Sequence, residues 1–184
     1  LYVCFVDMRR AFDSILRRLL YYKLFQIGIR GPFLRLLKDM YAKCEFCVRV
    51  DSTSASDFVK STTGVMQGCT LSPTLFSLFI NDVVLTSDPR DHHPPVLLDT
   101  PIECLLYADD LALVSETPLG LQRQLDRLHR YCERWGLEVN RDKTEVMVFR
   151  RGGKLAAHER WYYGGRRLKV SSEFRYLGVV FSTK

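Results

Sequence analysis

Leu106-Tyr107-Ala108-Asp109-Asp110-Leu111 is the stretch on which the expected architecture turns. Its two adjacent carboxylates lie between two short apolar runs, Ile102 to Tyr107 and Leu111 to Val114. Each run has the length and boundaries of a strand, so the pattern predicts a tight hairpin between two buried strands with the acids at its turn. Neighbouring ionised carboxylates repel each other, and burying one unpaired is costly. A divalent cation would relieve both penalties by drawing carboxylate oxygens together. An Asp-Asp turn open to solvent is the plainer alternative, and the rest of the chain has to decide between them.

Upstream, Leu1-Tyr2-Val3-Cys4-Phe5-Val6 is continuously apolar, as a central strand is, and ends in Asp7. An acid at the rim of a rigid strand is well placed for chemistry, although a strand-end turn residue is the simpler reading of Asp7 alone. Ile15, Leu19, Tyr22 and Phe25 recur at helical spacing and predict a helix from Ser14 to Ile27, stopped at Gly28. Gly31-Pro32 opens a second helix with Phe33, Leu36, Leu37 and Met40 on one face. These aromatics and Met40 are expected in the core. Cys44 to Val50 and Asp57 to Ser61 read as strands joined by a turn from Asp51 to Ser56. Thr63 to Pro73 is a loop running into a helix, with Gly64 and Gly68 allowing close backbone approach, Ser72 as N-cap and Pro73 at the first helical position.

Downstream, Ser87 to Pro101 reads as a surface loop; its His92-His93 pair has no accompanying ligand cluster and is not expected to bind metal. Thr117-Pro118 should cap a helix with Leu121, Leu125, Leu128 and Cys132 on its buried stripe, ending at Gly136. Its Arg123, Arg127, Arg130 and Arg134 suit a solvated face, with nucleic-acid contact as the minor alternative. Leu137 to Asn140 and Val146 to Phe149 look like short strands flanking Arg141-Asp142-Lys143-Thr144. Trp161 to Val170 reads as a hairpin turning at Gly164-Gly165, and Phe174 to Phe181 as a last strand.

The 184 residues suffice for one ordinary domain, and a chain 47% hydrophobic and 26% charged is globular rather than disordered. A net charge of +6 permits an anionic partner such as nucleic acid. Basic residues interleaved with aromatics from Arg141 onward suit backbone contact plus base stacking. No stretch is apolar for long enough to cross a membrane, and no signal peptide opens the chain. Leu1 is not a start methionine, which leads us to expect a piece of a longer protein. Six scattered cysteines suggest a reduced, intracellular protein; Cys44 and Cys47 resemble half a zinc site, but no second pair stands at a suitable spacing.

Five blocks in order resemble the reverse transcriptase domain of non-LTR (LINE-type) retrotransposons: Phe5-Val6-Asp7 with Ala11-Phe12-Asp13; Gly64-Val65-Met66-Gln67-Gly68 with Leu71-Ser72-Pro73; Tyr107-Ala108-Asp109-Asp110; Trp135-Gly136-Leu137 through Asn140 to Thr144; and Phe174 to Gly178. The resemblance covers nearly the whole chain, 1–184. It implies an α/β (α+β) fold, the palm of a right-hand polymerase, with an antiparallel sheet backed by helices and with fingers and thumb largely missing. It implies an RNA-directed DNA polymerase that extends a DNA primer on an RNA template with dNTPs, by nucleotidyl transfer with two magnesium ions, manganese being a substitute. Asp7, Asp109 and Asp110 would meet at one edge of the sheet to hold the ions, roughly 4 Å apart.

By the same resemblance, Phe12 would lie beneath the sugar and exclude a 2′-hydroxyl, with a core phenylalanine as the alternative. Gln67 and Gly68 would touch the nascent base pair and template, and Tyr107 would join the substrate-binding set. Lys143 would protonate the leaving pyrophosphate or neutralise its charge. Tyr176, Leu177 and Gly178 match the primer grip, where they position the 3′ end or pack. Two departures stand out: Met66 occupies a position where the family often has Arg or Lys, and no basic fingers region precedes the first block. A remnant that binds RNA without polymerising, and a group II intron-type or domesticated reverse transcriptase, are the alternatives. Nuclear action is the expected location, with no membrane association; the oligomeric state is open.

Overall fold

A computed structural model describes residues 1–49, 51, 55–83 and 93–183. In chain order these form β1 (Tyr2–Val6), α1 (Ala11–Ser14), α2 (Arg17–Gln26), α3 (Gly31–Ala42), β2 (Glu45–Phe46), β3 (Val59–Lys60) and α4 (Leu71–Ile80). After a 3-10 turn at Asn81–Val83 come β4 (Val96–Leu97), β5 (Thr100–Pro101), β6 (Cys104–Tyr107), β7 (Asp110–Ser115), α5 (Pro118–Trp135) and β8 (Glu145–Val148). The chain ends in β9 (Tyr162–Tyr163), β10 (Arg166–Arg167), β11 (Lys169–Val170), β12 (Glu173–Tyr176) and β13 (Val179–Ser182). Two compact units result, one of Leu1–Ala11 with Ile80–Lys184 and the other of Phe12–Phe79.

The first unit is built on a sheet of order β11-β8-β1-β7-β6. β1 lies in its middle, antiparallel to both β7 and β8, which is why Val3 to Val6 are apolar without interruption. Among the described residues only the β11–β8 pair is parallel. Side chains alternate along each strand, so one face gathers Val3, Phe5, Ala112, Val114 and Met147. Tyr176 of the β12–β13 hairpin closes over this face, and Phe174 stacks on Phe5 with ring centres 4.5 Å apart. A Val, Phe or Met side chain of this layer contributes about 1.5–3 kcal/mol when fully buried. Leu113, on the alternate face, borders a small cavity with Gln124 and Leu128 of α5. The predicted stripe Leu121, Leu125, Leu128 and Cys132 is buried there. The Thr117 hydroxyl accepts the Gly120 N–H at 3.0 Å, and Gly136 ends α5 at φ +70°, as its sequence foretold.

Expectations for this unit changed in several places. β6 is an exposed edge rather than a buried strand, with Leu105 and Tyr107 facing solvent. Leu137 to Asn140 contributes a single bridge, Val139 to Met8. Phe174 to Phe181 is two paired strands, because Leu177 and Gly178 both take positive φ (48° and 81°) and reverse the chain. The Gly164-Gly165 turn stands as expected between β9 and β10, but β11 then leaves the hairpin to join β8. His92 and the rest of 87–92 lie outside the described residues; Val96 to Pro101 forms a short hairpin.

In the second unit the expected Ser14–Ile27 helix is broken after Ser14. The Phe12 carbonyl accepts the Val65 N–H at 2.9 Å and the Ile15 carbonyl accepts the Gly64 N–H at 2.8 Å. The loop before α4 thus consumes carbonyls that a continuous helix would use. α2 buries Leu20, Lys23 and Leu24, leaving Tyr22 and Phe25 exposed. The reason is Lys23: its ammonium reaches the Phe79 carbonyl at 2.6 Å and its stem packs as apolar surface, so a charged residue belongs to the buried face. α3 buries Leu34, Leu37 and Tyr41, the same spacing displaced from Phe33 and Leu36, which are exposed; Met40 is half-buried. The paired strands of 44–61 shrink to β2 and β3, and residues 52–54 of the expected turn, like Val50, lie outside the described residues. Ser72 is not an N-cap: α4 has already begun at Leu71, and the buried Ser72 hydroxyl donates to the Met66 carbonyl.

Gly64 is held hard against this unit. Its φ is +75°, and a Cβ there would meet Asp13 Cα at 2.8 Å. Gly64→Ala is therefore expected to destabilise by about 1–3 kcal/mol, read as a lower urea midpoint. In the first unit Glu159 is only 2% exposed. Burial alone would raise its carboxyl pKa, but the Ala156 N–H, the Tyr2 hydroxyl and the Arg150 guanidinium outweigh that and hold it below the usual range. A depressed carboxyl stabilises the fold above its unfolded pKa and loses that contribution as pH falls through the folded value. Arg150→Ala should cost roughly 1–3 kcal/mol at neutral pH. Chemical denaturation should show the gap to the parent narrowing in acid.

Candidate active site

The site follows from strand register. β1 and β7 pair from Tyr2↔Ser115 to Val6↔Leu111. One further step sets Asp7 opposite Asp110, on the same face as Phe5 and Ala112. There the apolar face ends in an open cleft of about 380 Å³ lined by Asp7, Asp110, Asp142, Lys143, Glu145, Arg175 and Tyr176, with Phe5 and Phe174 at its apolar end.

Each wall has a local cause. Asp7 is held through its backbone: its N–H donates to Thr144 Oγ1 at 3.2 Å and its carbonyl accepts the Asn140 N–H at 2.8 Å. The same Asn140 builds the turn that carries Lys143. Its carbonyl accepts the Lys143 and Thr144 N–H groups at 3.2 and 3.0 Å, and its side chain accepts the Asp142 N–H at 3.3 Å. An Asn that bonds its own backbone two residues on is a turn former, so Asn140-Arg141-Asp142-Lys143-Thr144 folds as its composition directs. The Tyr176 hydroxyl donates weakly to the Asp110 carbonyl at 3.4 Å.

Asp109 sits at the turn between β6 and β7, beside Ala108 with φ +52°. It does not line the cleft, but it is felt there. Burial first, then the Asp109 and Asp7 charges, push the Asp110 carboxyl above its ordinary range. Asp110 thus feels the charge of both other acids, and it faces one cleft with Asp7. Burial, followed by Asp110 and Cys104, raises the Tyr176 phenol.

Among the described residues no three His, Cys, Asp or Glu side chains form a ready-made metal cage. The donor set is nevertheless all oxygen, acidic and open. Such a set fits magnesium, which keeps waters and takes further ligands from substrate phosphates instead of a complete protein cage.

Of the remaining candidates, Tyr107 is exposed at the end of β6, and Leu177 and Gly178 form the tip of the β12–β13 hairpin. Only Tyr176 of that group reaches the cleft. In the second unit Phe12 is half-buried, its ring 5.0 Å from that of Phe76. Gln67 and Gly68 are exposed on the loop before α4, and the Gln67 amide donates to Asp13 Oδ1 at 2.9 Å. Sequence reasoning missed Glu145, Asp142 and Arg175 as cleft residues. The signal for Glu145 was the register: it pairs with Phe5 and so places a carboxylate on the face that carries Asp7 and Asp110. Lys169 holds that carboxylate at 2.6 Å.

Residues 1–181 match the family model described as reverse transcriptase (RNA-dependent DNA polymerase). The chain is 34% identical to a probable RNA-directed DNA polymerase from transposon BS of Drosophila melanogaster, over 98% of this chain and 20% of that protein. It is 30% identical to the retrovirus-related Pol polyprotein from type-2 retrotransposable element R2DM of the same species, over 98% of this chain and 18% of that one. It is 27% identical to the RNA-directed DNA polymerase from mobile element jockey of Drosophila funebris, over 96% and 19%. The chain spans about a fifth of the length of these curated relatives. Among solved structures, apo telomerase from Candida tropicalis, truncated from its C-terminal domain, aligns with a TM-score of 0.66 over 99% of this chain and 34% of that one. At 14% identity that likeness is one of fold, a polymerase palm-type arrangement of sheet and helices. With residues 1–181 matched and relatives of 30% and 34% identity covering 98% of it, the chain belongs to the reverse transcriptase (RNA-dependent DNA polymerase) family, of the kind carried by non-LTR retrotransposons.

Proposed function

We propose that the chain is the palm of an RNA-directed DNA polymerase that extends a DNA primer on an RNA template with dNTPs, within a longer protein that supplies fingers and thumb. The observation that supports this most is that Asp7, just past β1, and Asp110, at the start of β7, line one cleft with Lys143.

Asp7 and Asp110, with Asp109 at the turn, would hold two magnesium ions, and manganese would serve in their place. When bound, such ions activate the primer 3′-hydroxyl and neutralise charge on the leaving pyrophosphate. The chain's own part is largely positioning. Asp7 is fixed by Thr144 and Asn140, so the acid and Lys143 are set by one piece of backbone. Lys143 would donate its proton to the departing pyrophosphate oxygen. Phe12 would bar a 2′-hydroxyl, Gln67 and Gly68 would meet the nascent base pair, and Tyr107 would complete the substrate contacts. Tyr176, packed on Phe5, would hold the primer end, with Leu177 and Gly178 at the hairpin tip following the backbone. We further propose action at nuclear DNA.

Asp109→Asn in the full-length enzyme should reduce primer extension by 100-fold or more, on the order expected for loss of a group that stabilises transition-state charge. Retained magnesium-dependent extension would count against the assignment. RNA binding without incorporation by the unaltered enzyme would support a remnant instead. The raised Asp110 carboxyl makes a separate prediction. A carboxyl raised on folding opposes stability once pH exceeds its folded value, and that penalty is absent below its unfolded value. In metal-free buffer at pH 7, Asp110→Asn should therefore melt higher than the parent. Thermal scans should show the difference closing as pH drops below the ordinary carboxyl range, and added magnesium should raise the parent's melting point more than the variant's.

A further inference from the structure

The loop carrying Gln67 is fastened to the start of the second unit by more bonds than a surface loop needs. Arg17 uses all five of its guanidinium N–H donors: Nε to the Gly64 carbonyl at 2.8 Å, Nη1 to the Tyr41 carbonyl at 3.1 Å and to the Ser61 carbonyl, and Nη2 to Ser61 Oγ at 2.6 Å and the Thr63 carbonyl at 3.0 Å. Its plane lies 4.8 Å from the centre of the Tyr41 ring. Phe12 and Ile15 accept the Val65 and Gly64 N–H groups, and Gly64 leaves no room for a Cβ beside Asp13. The backbone leading to Gln67 is thereby fixed next to Asp13, whose Oδ1 accepts the Gln67 amide N–H at 2.9 Å.

A carboxylate only accepts hydrogen bonds, so the contact settles which end of the Gln67 amide faces Asp13. The NH₂ group is turned toward Asp13, and the carbonyl oxygen is turned away. We propose that Asp13 is a positioning residue that holds Gln67 with its carbonyl oxygen presented to the ligand, so that this oxygen meets a hydrogen-bond donor, a sugar hydroxyl or a base amino group. The proposal rests on reading Gln67 as a substrate contact. Asp13 touches no reacting atom in it. Its effect passes through Gln67, and Arg17 supplies the fixed backbone that makes so exposed a bond effective.

Two measurements separate this claim from the polymerase assignment. In the ligand-free chain, the side-chain NH₂ resonances of Gln67 should move and lose their distinct environment in Asp13→Ala, with Asp13→Asn lying between that variant and the parent. Unchanged Gln67 resonances in Asp13→Ala overturn the proposal whatever the enzyme does. In the full-length polymerase, Asp13→Ala should raise KM for the incoming dNTP on the order of tenfold, while kcat changes by less than about threefold. Combined with Gln67→Ala it should do no more than Gln67→Ala alone, because both remove one function. Additive effects of the two substitutions, or an unchanged KM in Asp13→Ala, would contradict it. Failure of the unaltered full-length enzyme to extend a primer would instead remove the polymerase reading, and with it the substrate role of Gln67, leaving the amide contact to be judged by the resonances.

Discussion

The antiparallel register of β1 on β7 is the constraint from which the site follows. Because Val6 pairs with Leu111, Asp7 just past the end of β1 and Asp110 at the start of β7 come next, and alternation sends both to the same face. A slip of one residue would turn one acid to the opposite side of the sheet, along with every apolar side chain of that strand. The register is specified by burial: Val3, Phe5, Ala112 and Val114 form one core layer, and Leu111 and Leu113 lie on the other face. Core packing and acid placement are therefore one decision. The hydrophobic effect assembles the face, and the acids occupy the place where that face runs out into solvent.

What makes such an arrangement tolerable is its openness. Two coupled carboxylates in a closed core would be neutralised or would unfold the strand ends. Here the cleft is open and bordered by Lys143 and Arg175, and burial, followed by the Asp109 and Asp7 charges, raises the Asp110 carboxyl. Repulsion in a ligand-free acidic site leaves binding energy to be gained when a cation enters. The loop from Asn140 to Thr144 links the parts: one asparagine folds the turn, one buried threonine ties it to Asp7, and the lysine between them reaches the cleft.

Much of this was legible in the residues. The unbroken apolar run of β1 announced a central strand, the Asp109-Asp110 stretch announced a hairpin, and Thr117, Leu121 to Cys132 and Gly136 announced α5 with both of its ends. What stayed illegible had physical reasons. Lys23 reads as surface but behaves as a buried amphipathic side chain, and so Tyr22 and Phe25 were assigned to the wrong face. In α3, Phe33-Leu34 and Leu36-Leu37 offer two stripes of equal spacing, and only packing chooses between them. The break after Ser14 depends on carbonyls taken by a loop some fifty residues later, which no local pattern carries. Which of the two adjacent acids would face the cleft required the register, and the Asp13–Gln67 contact required tertiary structure.

The central proposal is that Asp7 and Asp110, with Asp109 at the turn, hold the divalent cations at the end of the sheet. Titrating the chain with manganese and following paramagnetic broadening of its amide resonances tests that claim most directly. The account predicts broadening centred on Asp7, Asp109, Asp110 and the Asn140–Thr144 turn, abolished by either Asp7→Asn or Asp110→Asn. Broadening centred elsewhere, or surviving both substitutions, would contradict it.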